Sequence, residues 1–267
     1  MKSAFAFERG TVTVLWWRDL LHFVQQRSRL AGALATPLLL WLMIGAGIAP
    51  SFSSDPGGPG YMEYFFPGVI LLLILQVSIS ATMSVIEDRT QGFLQGVLVA
   101  PGSRAAVVLG KTLGSTTVAL LHSAVFLALA PLAGFPYTGI SWIPLLVVAG
   151  LAGLALSAMG FAIAWALESI QGYHVVMNLV LFPLWILSGA MFPAGDLHPV
   201  LSTLVVWNPM SYAMSALRRA LYGGALPPGV ELSGAGAAFE LAVLGATAAA
   251  MLALAAWIAR RRSTPVS

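Results

Sequence analysis

Long charge-free stretches alternate with short polar segments along the chain, and the lengths of the apolar stretches indicate its class. A transmembrane helix needs about 20 predominantly apolar residues. Six stretches of the sequence qualify: residues 30–49, 64–86, 112–132, 140–167, 175–191 and 241–259. The pattern therefore predicts an all-α polytopic membrane protein, in which residues 1–267 form a single domain with six transmembrane helices.

Helix-breaking residues separate the third predicted span from the fourth. Pro131, Gly134, Pro136 and Gly139 lie in the middle of one charge-free block. Such a cluster of prolines and glycines predicts a tight hairpin loop. We therefore expect the two helices to be joined directly, with no soluble domain between them.

Residues 8–29, before the first predicted span, have the pattern of an amphipathic helix. At 100° per residue, one broad arc is apolar: Val12, Trp16, Trp17, Leu20, Leu21, Phe23 and Val24. The other arc is polar, with Leu15 and Arg27 as exceptions: Glu8, Arg18, Asp19, His22, Gln25, Gln26 and Arg29. Basic, tryptophan-bearing helices are typical of the membrane interface. We predict an interface helix marked by Trp16, Trp17 and Arg18; a simple anchor for the first span is the alternative.

A polar segment, residues 87–101, separates the second and third spans. Ser103 can cap the helix that follows, which isolates the segment as its own short element. Its polar side chains are Glu87, Asp88, Arg89, Gln91 and Gln95. Its apolar side chains form the i,i+4 pairs Phe93 with Val97 and Leu94 with Leu98. Apolar residues on a short exposed helix indicate docking onto a partner; a solvated loop is the alternative.

Residues 196–223, between the fifth and sixth spans, contain an apolar piece at 200–207 that is too short to cross the membrane. We expect two short re-entrant helices, 200–207 and 210–222, which dip in from the outer face and are broken at Asn208-Pro209. Arg218 and Arg219 would face headgroups or an anionic substrate. A simple surface loop is the alternative.

Composition supports a membrane protein. Hydrophobic residues make up 58% of the chain and charged residues 9%, against roughly 25% charged in an average soluble domain. Cysteine is absent, which excludes disulfides, thiolate metal sites and thiol nucleophiles. The net charge of +3 comes from basic residues beside apolar runs. These indicate contact with membrane lipids and no nucleic-acid partner.

The basic residues predict the orientation, because cytoplasmic loops carry an excess of Lys and Arg. With six spans, one side holds Lys2, Arg9, Arg18, Arg27, Arg29, Arg89, Arg104, Lys111, Arg260, Arg261 and Arg262, which are eleven of the 13 basic residues. The other side holds Arg218 and Arg219. Both termini and the polar segment are therefore expected in the cytoplasm.

Candidate enzyme chemistry is sparse. Gly110-Lys111-Thr112 resembles the end of a P-loop, but the motif needs a glycine where the chain has Ala105. Lys111 is then a positive flank of the third span. Four histidines lack metal-ligand spacing: His22, His122, His174 and His198. We expect no metal site, and we expect His122 to be neutral and bonded to a neighbouring helix.

Acidic residues are expected at the ends of apolar runs: Glu63, Glu168 and Glu240. Ion-coupled transporters usually place a carboxylate within the membrane. The sequence therefore argues against an ion-coupled secondary transporter.

Two groups of residues resemble the membrane-spanning subunit of ABC-2 type exporters, which include daunorubicin-type drug exporters and nodulation-factor exporters. The first group is Phe66-Pro67-Gly68, Glu87-Asp88-Arg89, Gly92 and Leu98-Val99-Ala100-Pro101. The second group is Leu187-Ser188-Gly189-Ala190-Met191-Phe192-Pro193 and Asn208-Pro209-Met210-Ser211-Tyr212. Relatives often have an acidic residue near Gln95, which this chain lacks.

The resemblance implies a coupling helix that docks on a separate ATPase. Its candidate coupling residues are Glu87, Asp88, Arg89, Gln91, Gly92, Phe93, Leu94, Val97 and Leu98. The implied outer gate comprises Pro193, Trp207, Asn208, Pro209, Tyr212, Arg218 and Arg219. Two copies of the permease would pair with two ATPase subunits. ATP and Mg²⁺ would bind the ATPase, with no cofactor on this chain.

The sequence thus predicts a non-enzymatic permease of a bacterial inner-membrane ABC exporter for an amphipathic or lipid-linked substrate. A membrane assembly factor or lipid-modifying enzyme is one alternative, and an ion-coupled transporter is another. A lipid-modifying enzyme would need polar side chains clustered around one cavity.

Single cysteines test the predicted orientation in this naturally cysteine-free chain. We expect Ser103→Cys to be shielded from a membrane-impermeant thiol reagent in intact cells, because residue 103 is cytoplasmic. Asp55→Cys, Gly139→Cys and Ser233→Cys should react from outside. External labelling at position 103 would contradict the orientation.

Overall fold

The structure, a computed structural model, describes residues 2–25, 27–48, 58–92, 103–167, 169–191, 198–227, 230 and 236–261. In these ranges the regular structure is helical throughout. The α-helices are α1 Lys2–Gln25, α2 Arg27–Ile48, α3 Tyr61–Thr82, α4 Ser84–Thr90, α5 Arg104–Leu127, α6 Trp142–Ala166, α7 Ile170–Trp185, α8 Pro199–Trp207, α9 Pro209–Leu221 and α10 Ala237–Arg261.

Five segments of the described chain are long and apolar enough to cross a membrane. They are Tyr61–Thr90, Arg104–Leu127, Trp142–Ala166, Ile170–Ala190 and Ala237–Arg261. They correspond to the second to sixth predicted spans. The first predicted span corresponds to α2, whose apolar part, Gly32–Ile48, is shorter than the other five. The all-α class is therefore confirmed, with five candidate spans among the described residues.

Helix α3 lies at the centre of the molecule and packs against α2, α5 and α6. Its side chains are buried nearly all round, as expected of a helix that is apolar on every face. Phe66 stacks on Phe126 with 5.2 Å between ring centroids and meets Trp41 edge-on at 5.4 Å. This aromatic cluster joins α3 to α2 and α5.

The predicted hairpin between the third and fourth spans is confirmed. Two 3-10 turns, Ala130–Ala133 and Tyr137–Gly139, connect α5 to α6. Gly134 lies between them with φ of 102°, a conformation that favours glycine. The backbone N–H of Phe135 donates to the Ala130 carbonyl at 3.0 Å and closes the first turn.

The chain between the fifth and sixth spans contains the two expected short helices, α8 and α9, which meet at Asn208. The Asn208 side chain accepts from the Met210 N–H at 3.0 Å and donates to the Leu184 carbonyl at 2.7 Å. It therefore caps α9 and also ties the break to α7. Pro193 lies outside the described residues.

Helix α7 does not end regularly. It continues as a π-helical turn, Ile186–Ala190, in which Gly189 has φ of 77°. A methyl group on Gly68 of α3 would lie 2.7 Å from the Ala190 carbonyl oxygen. Glycine at position 68 therefore allows the π turn to pack directly against the central helix.

Candidate functional site

Helix α1 packs lengthwise on α5, and two glycines one helical turn apart permit the close approach. A Cβ atom on Gly110 would lie 3.0 Å from Leu15 Cβ, and one on Gly114 would lie 2.9 Å from Asp19 Cβ. Small residues at this spacing let helix backbones approach in membranes. The Trp16 indole also donates to the Thr117 hydroxyl across the interface at 3.0 Å.

Four charged side chains connect α1, α4 and α5, and we call them the four-charge network: Arg18, Asp19, Asp88 and Lys111. Arg18 of α1 pairs with Asp88 of α4. The Lys111 ammonium of α5 lies 2.7 Å from the other Asp88 oxygen and 3.2 Å from Asp19. Lys111 also donates to the Ser84 hydroxyl at 3.1 Å. The network therefore brings two cations and two anions from three helices together.

Burial makes these pairings obligatory. Lys111 is 1% exposed and Asp88 is 2% exposed, and an unpaired charge in such a site costs several kcal/mol. The Asp19 side chain is 11% exposed. Its burial raises the pKa of the Asp19 carboxyl, while the Lys111 ammonium acts against that rise. Each buried ion thus keeps a partner of opposite charge.

The structure corrects the sequence interpretation of Lys111. Its side chain, predicted only as a positive flank of the third span, is the buried centre of the network. Its partner Asp19 is 92 residues away in the chain, so local sequence gave no sign of the pairing. The spacing of Gly110 and Gly114 is typical of close helix contacts, so it could have predicted that another helix packs at this position.

The structure shows where the side chains of two candidate coupling residues, Asp88 and Arg89, make their contacts. Asp88 points into the protein, towards Arg18 and Lys111, so its carboxylate does not project from the polar segment. The Arg89 guanidinium donates to the Trp165 carbonyl at 3.2 Å and also to the Leu167 carbonyl. Both side chains therefore hold α4 to the rest of the chain.

The polar segment is described only as far as Gly92. Gln91 is exposed, and Gly92 has φ of 76°. The apolar side chains expected to dock on a partner lie outside the described residues: Phe93, Leu94, Val97 and Leu98. Ser103, where the described chain resumes, accepts a hydrogen bond from the Ala106 N–H and confirms the predicted cap of α5.

A cavity of about 730 Å³ adjoins the four-charge network. Its polar lining includes Arg18, Asp19, His22, Gln76, Ser80, Ser84, Glu87, Asp88, Gln91, His122, His174 and Asn178. Its apolar lining includes Phe23, Ala33, Val77, Ile79, Val118 and Met177. The volume is that of a small-molecule site. The mixed lining suits a ligand with both polar and apolar parts.

His122 lines this cavity, and within the described ranges its hydrogen bond is to its own helix and not, as expected, to a neighbouring one. Its Nδ1 lies 2.8 Å from the Val118 carbonyl of its own helix. A carbonyl can only accept, so Nδ1 carries the proton. The Phe23 ring of α1 packs 4.9 Å from the imidazole. Among the described residues, no group of His, Asp and Glu is placed to hold a metal ion.

A second buried charge, the Arg218 guanidinium, lies at the π turn. That guanidinium donates to the Gly189 carbonyl at 2.8 Å and stacks 4.1 Å from the centre of the Tyr64 ring. The Tyr64 hydroxyl donates to the same carbonyl at 2.9 Å. The prediction that Arg218 faces headgroups or substrate is wrong, because the carboxyl end of α7 binds this cation inside the protein.

Arg219 pairs with Glu240 of α10 at 3.3 Å, and Ser215 donates to the same carboxylate at 2.5 Å. Glu240 is fully buried. Glu240 lies in the first turn of α10, at the end of an apolar run as predicted, and its side chain is enclosed by protein. Asp88 is a second buried carboxylate. Each of these carboxylates is nevertheless neutralised by a basic partner.

The other described residues of the predicted gate differ in exposure. Trp207 is largely exposed at the end of α8. Tyr212 of α9 donates its hydroxyl to the Val206 carbonyl at 2.9 Å. Pro209 occupies the first turn of α9, where a missing N–H costs nothing. Trp207, Asn208, Pro209 and Tyr212 thus form one local unit at the α8–α9 break.

Comparison with known proteins places these features in a family. Residues 11–222 match the family described as ABC-2 type transporter. The chain belongs to the ABC-2 type transporter family. The resemblance drawn from the sequence motifs is thereby confirmed, and the match includes the four-charge network, the cavity and the π turn.

Individual ABC-2 type relatives are similar along most of their length. Nodulation protein J of Neorhizobium galegae is 25% identical, over 80% of this chain and 82% of its own. The daunorubicin resistance ABC transporter permease protein DrrB1 of Streptomyces coeruleorubidus is 26% identical, over 81% and 76%. The inner membrane transport permease YadH of Escherichia coli is 22% identical, over 78% and 82%. The chain is thus similar to transport permeases.

Enlarging Gly114 tests the α1–α5 interface. We expect Gly114→Leu to displace α1, because even a methyl group there would meet Asp19 at under 3 Å. Leu15→Cys, buried in the parent, should then react with a maleimide much faster in the Gly114→Leu background. Gly10→Leu is the matched control, since nothing lies within 4 Å of that glycine. Equal labelling rates in both backgrounds would contradict the close packing.

Proposed function

We propose that this ABC-2 type chain is the permease subunit of an ATP-driven exporter. It moves an amphipathic or lipid-linked substrate from the cytoplasm or the inner leaflet across the membrane. The observation that carries the proposal is the cavity of about 730 Å³. Its polar side chains could receive a headgroup, while Phe23, Val77 and Met177 could contact an apolar portion.

The relatives support a transport role and a separate energy source. One of them is by name a permease of a daunorubicin resistance ABC transporter. This chain lacks a complete P-loop, since Ala105 occupies the position of the required glycine. We therefore assign ATP and Mg²⁺ to a separate ATPase subunit, and we assign no cofactor and no enzymatic step to this chain.

The proposed assembly contains two permease copies and two ATPase subunits in a bacterial inner membrane. Helix α2 is the first of six spans, and both termini lie in the cytoplasm with the polar segment 87–101. Helix α1 runs beside α5 from Gly110 as far as His122, and its exposed Val14, Trp17 and Val24 can contact lipid. The excess of Lys and Arg on the cytoplasmic side supports this orientation.

Helices α8 and α9 form the outer gate in this proposal and re-enter the membrane from outside. The gate residues Trp207, Asn208, Pro209 and Tyr212 belong to the α8–α9 break. Arg218 has a role different from the one expected: it binds the Gly189 carbonyl and so holds α9 to the π turn of α7. Arg219 holds α9 to α10 through Glu240.

The coupling role of the polar segment is tested by Phe93→Ala with Leu94→Ala. Each truncation removes a side chain whose burial against the ATPase, if complete, would contribute roughly 1.5–3 kcal/mol to the free energy of binding. We expect copurification of the ATPase and substrate export to be lost, while membrane insertion is retained. Thr90→Ala, at an exposed position of α4, is the control. Normal ATPase binding by the double variant would contradict the docking role.

A further inference from the structure

We propose that the cavity selects a cationic amphiphile, a molecule with a protonated amine and an apolar chain, and that Glu87 recognises its positive charge. This choice of substrate class rests on the proposed function, in which the cavity receives the exported molecule. Two features of the lining carry it. One is a negative charge that no residue of the lining balances, and the other is a buried hydrogen-bond acceptor.

The charges around the cavity do not cancel. Within the four-charge network, the cations Arg18 and Lys111 offset the anions Asp19 and Asp88. Among the described side chains of the lining, the remaining charged one is Glu87, because histidine is ordinarily neutral above about pH 7. The wall therefore keeps the negative charge of Glu87, and a concave site of one sign attracts ligands of the opposite sign.

The Glu87 carboxylate is available to a ligand. Its side chain is partly exposed on α4. Within the described ranges this carboxylate forms no ion pair and accepts no hydrogen bond. The adjacent Asp88, by contrast, is already engaged by Arg18 and Lys111. Glu87, which the sequence predicted as a coupling residue, is thus the carboxylate of the cavity wall whose charge a bound cation would neutralise.

A buried acceptor also lines the cavity. His122 is 4% exposed. Because its Nδ1 donates to the Val118 carbonyl, its Nε2 carries a lone pair, and no residue that the structure describes donates to that nitrogen. A buried acceptor without a donor costs free energy. The site therefore favours a ligand that offers an N–H or O–H group over a pure hydrocarbon.

The two recognition points lie far apart, which defines the shape of the ligand. Glu87 is beside Asp88, the partner of Lys111, and along α5 the distance from Lys111 to His122 is roughly 16 Å. Apolar side chains complete the lining: Phe23, Val77, Ile79, Val118 and Met177. These positions suit an amine at one end of an alkyl chain and a hydrogen-bond donor near the other end.

Two fluorescent amphiphiles test the charge preference without the natural substrate. The amine probe is a dodecane diamine with dansyl on one nitrogen, so that the alkyl chain separates an ammonium from a sulfonamide N–H. The neutral probe is the same molecule acetylated on its free amine. Saturable binding to the full chain is measured in phosphatidylcholine nanodiscs, with the signal of empty nanodiscs subtracted. At about pH 8 an alkylamine is protonated and histidine is ordinarily neutral.

We expect the parent to bind the amine probe about tenfold more tightly than the neutral probe, since an ion pair at a partly buried site exceeds the free energy of one tenfold step. Glu87→Gln should abolish this preference by weakening the amine probe alone, and Glu87→Asp should keep it. Glu8→Gln is the matched control, because Glu8 is an exposed carboxylate of α1 outside the lining. His122→Phe, which keeps a ring beside Phe23, should weaken both probes alike.

Equal affinity of the parent for the two probes would overturn the proposal, and so would a preference that survives Glu87→Gln, the result expected if Glu87 serves the ATPase alone. Unchanged binding of both probes by His122→Phe would overturn the role of Nε2. A merely structural effect of Glu87→Gln would weaken both probes and so would also contradict the assignment. Saturable binding of neither probe to the parent is a different result, which would remove the observation that carries the proposed function.

Discussion

The Lys111 ammonium of α5 is a full positive charge enclosed by the protein, and the arrangement of α1, α4 and α5 depends on its neutralisation. A buried ion of this kind is stable only with well-placed counter-ions. Asp88 and Asp19 supply them, and each comes from a different helix. The need to pair one cation therefore fixes the positions of α1 and α4 against α5.

A similar arrangement occurs on the other side of the molecule. Arg218 binds the carbonyl end of the π turn, and Arg219 pairs with the buried Glu240. In both places a short helix is tied to a long one by a charge that cannot be left unpaired. The two sites differ in one respect: the four-charge network borders a cavity, whereas Arg218 is enclosed by Tyr64 and the π turn.

Local sequence predicted the features that depend on local chemistry. Hydrophobic length predicted the five candidate spans. Proline and glycine predicted the hairpin at 131–139 and the break at Asn208-Pro209, and capping preference predicted the Ser103 cap. The directions of Asp88, Lys111 and Arg218 did not follow, because their partners lie far away in the chain. In the structure these charged side chains are buried, Asp88 and Lys111 with each other and Arg218 with the Gly189 carbonyl and the Tyr64 ring.

The central claim, that opposite charge on Lys111 and Asp88 holds α1, α4 and α5 together, is tested by a double-mutant cycle. The free energy of unfolding would be measured for Lys111→Met, Asp88→Asn and the two combined. Each single change leaves a buried ion short of a partner and should cost about 3–5 kcal/mol. The account predicts that the combined variant, which keeps only Arg18 and Asp19, is more stable than either single variant. Losses that simply add would contradict it.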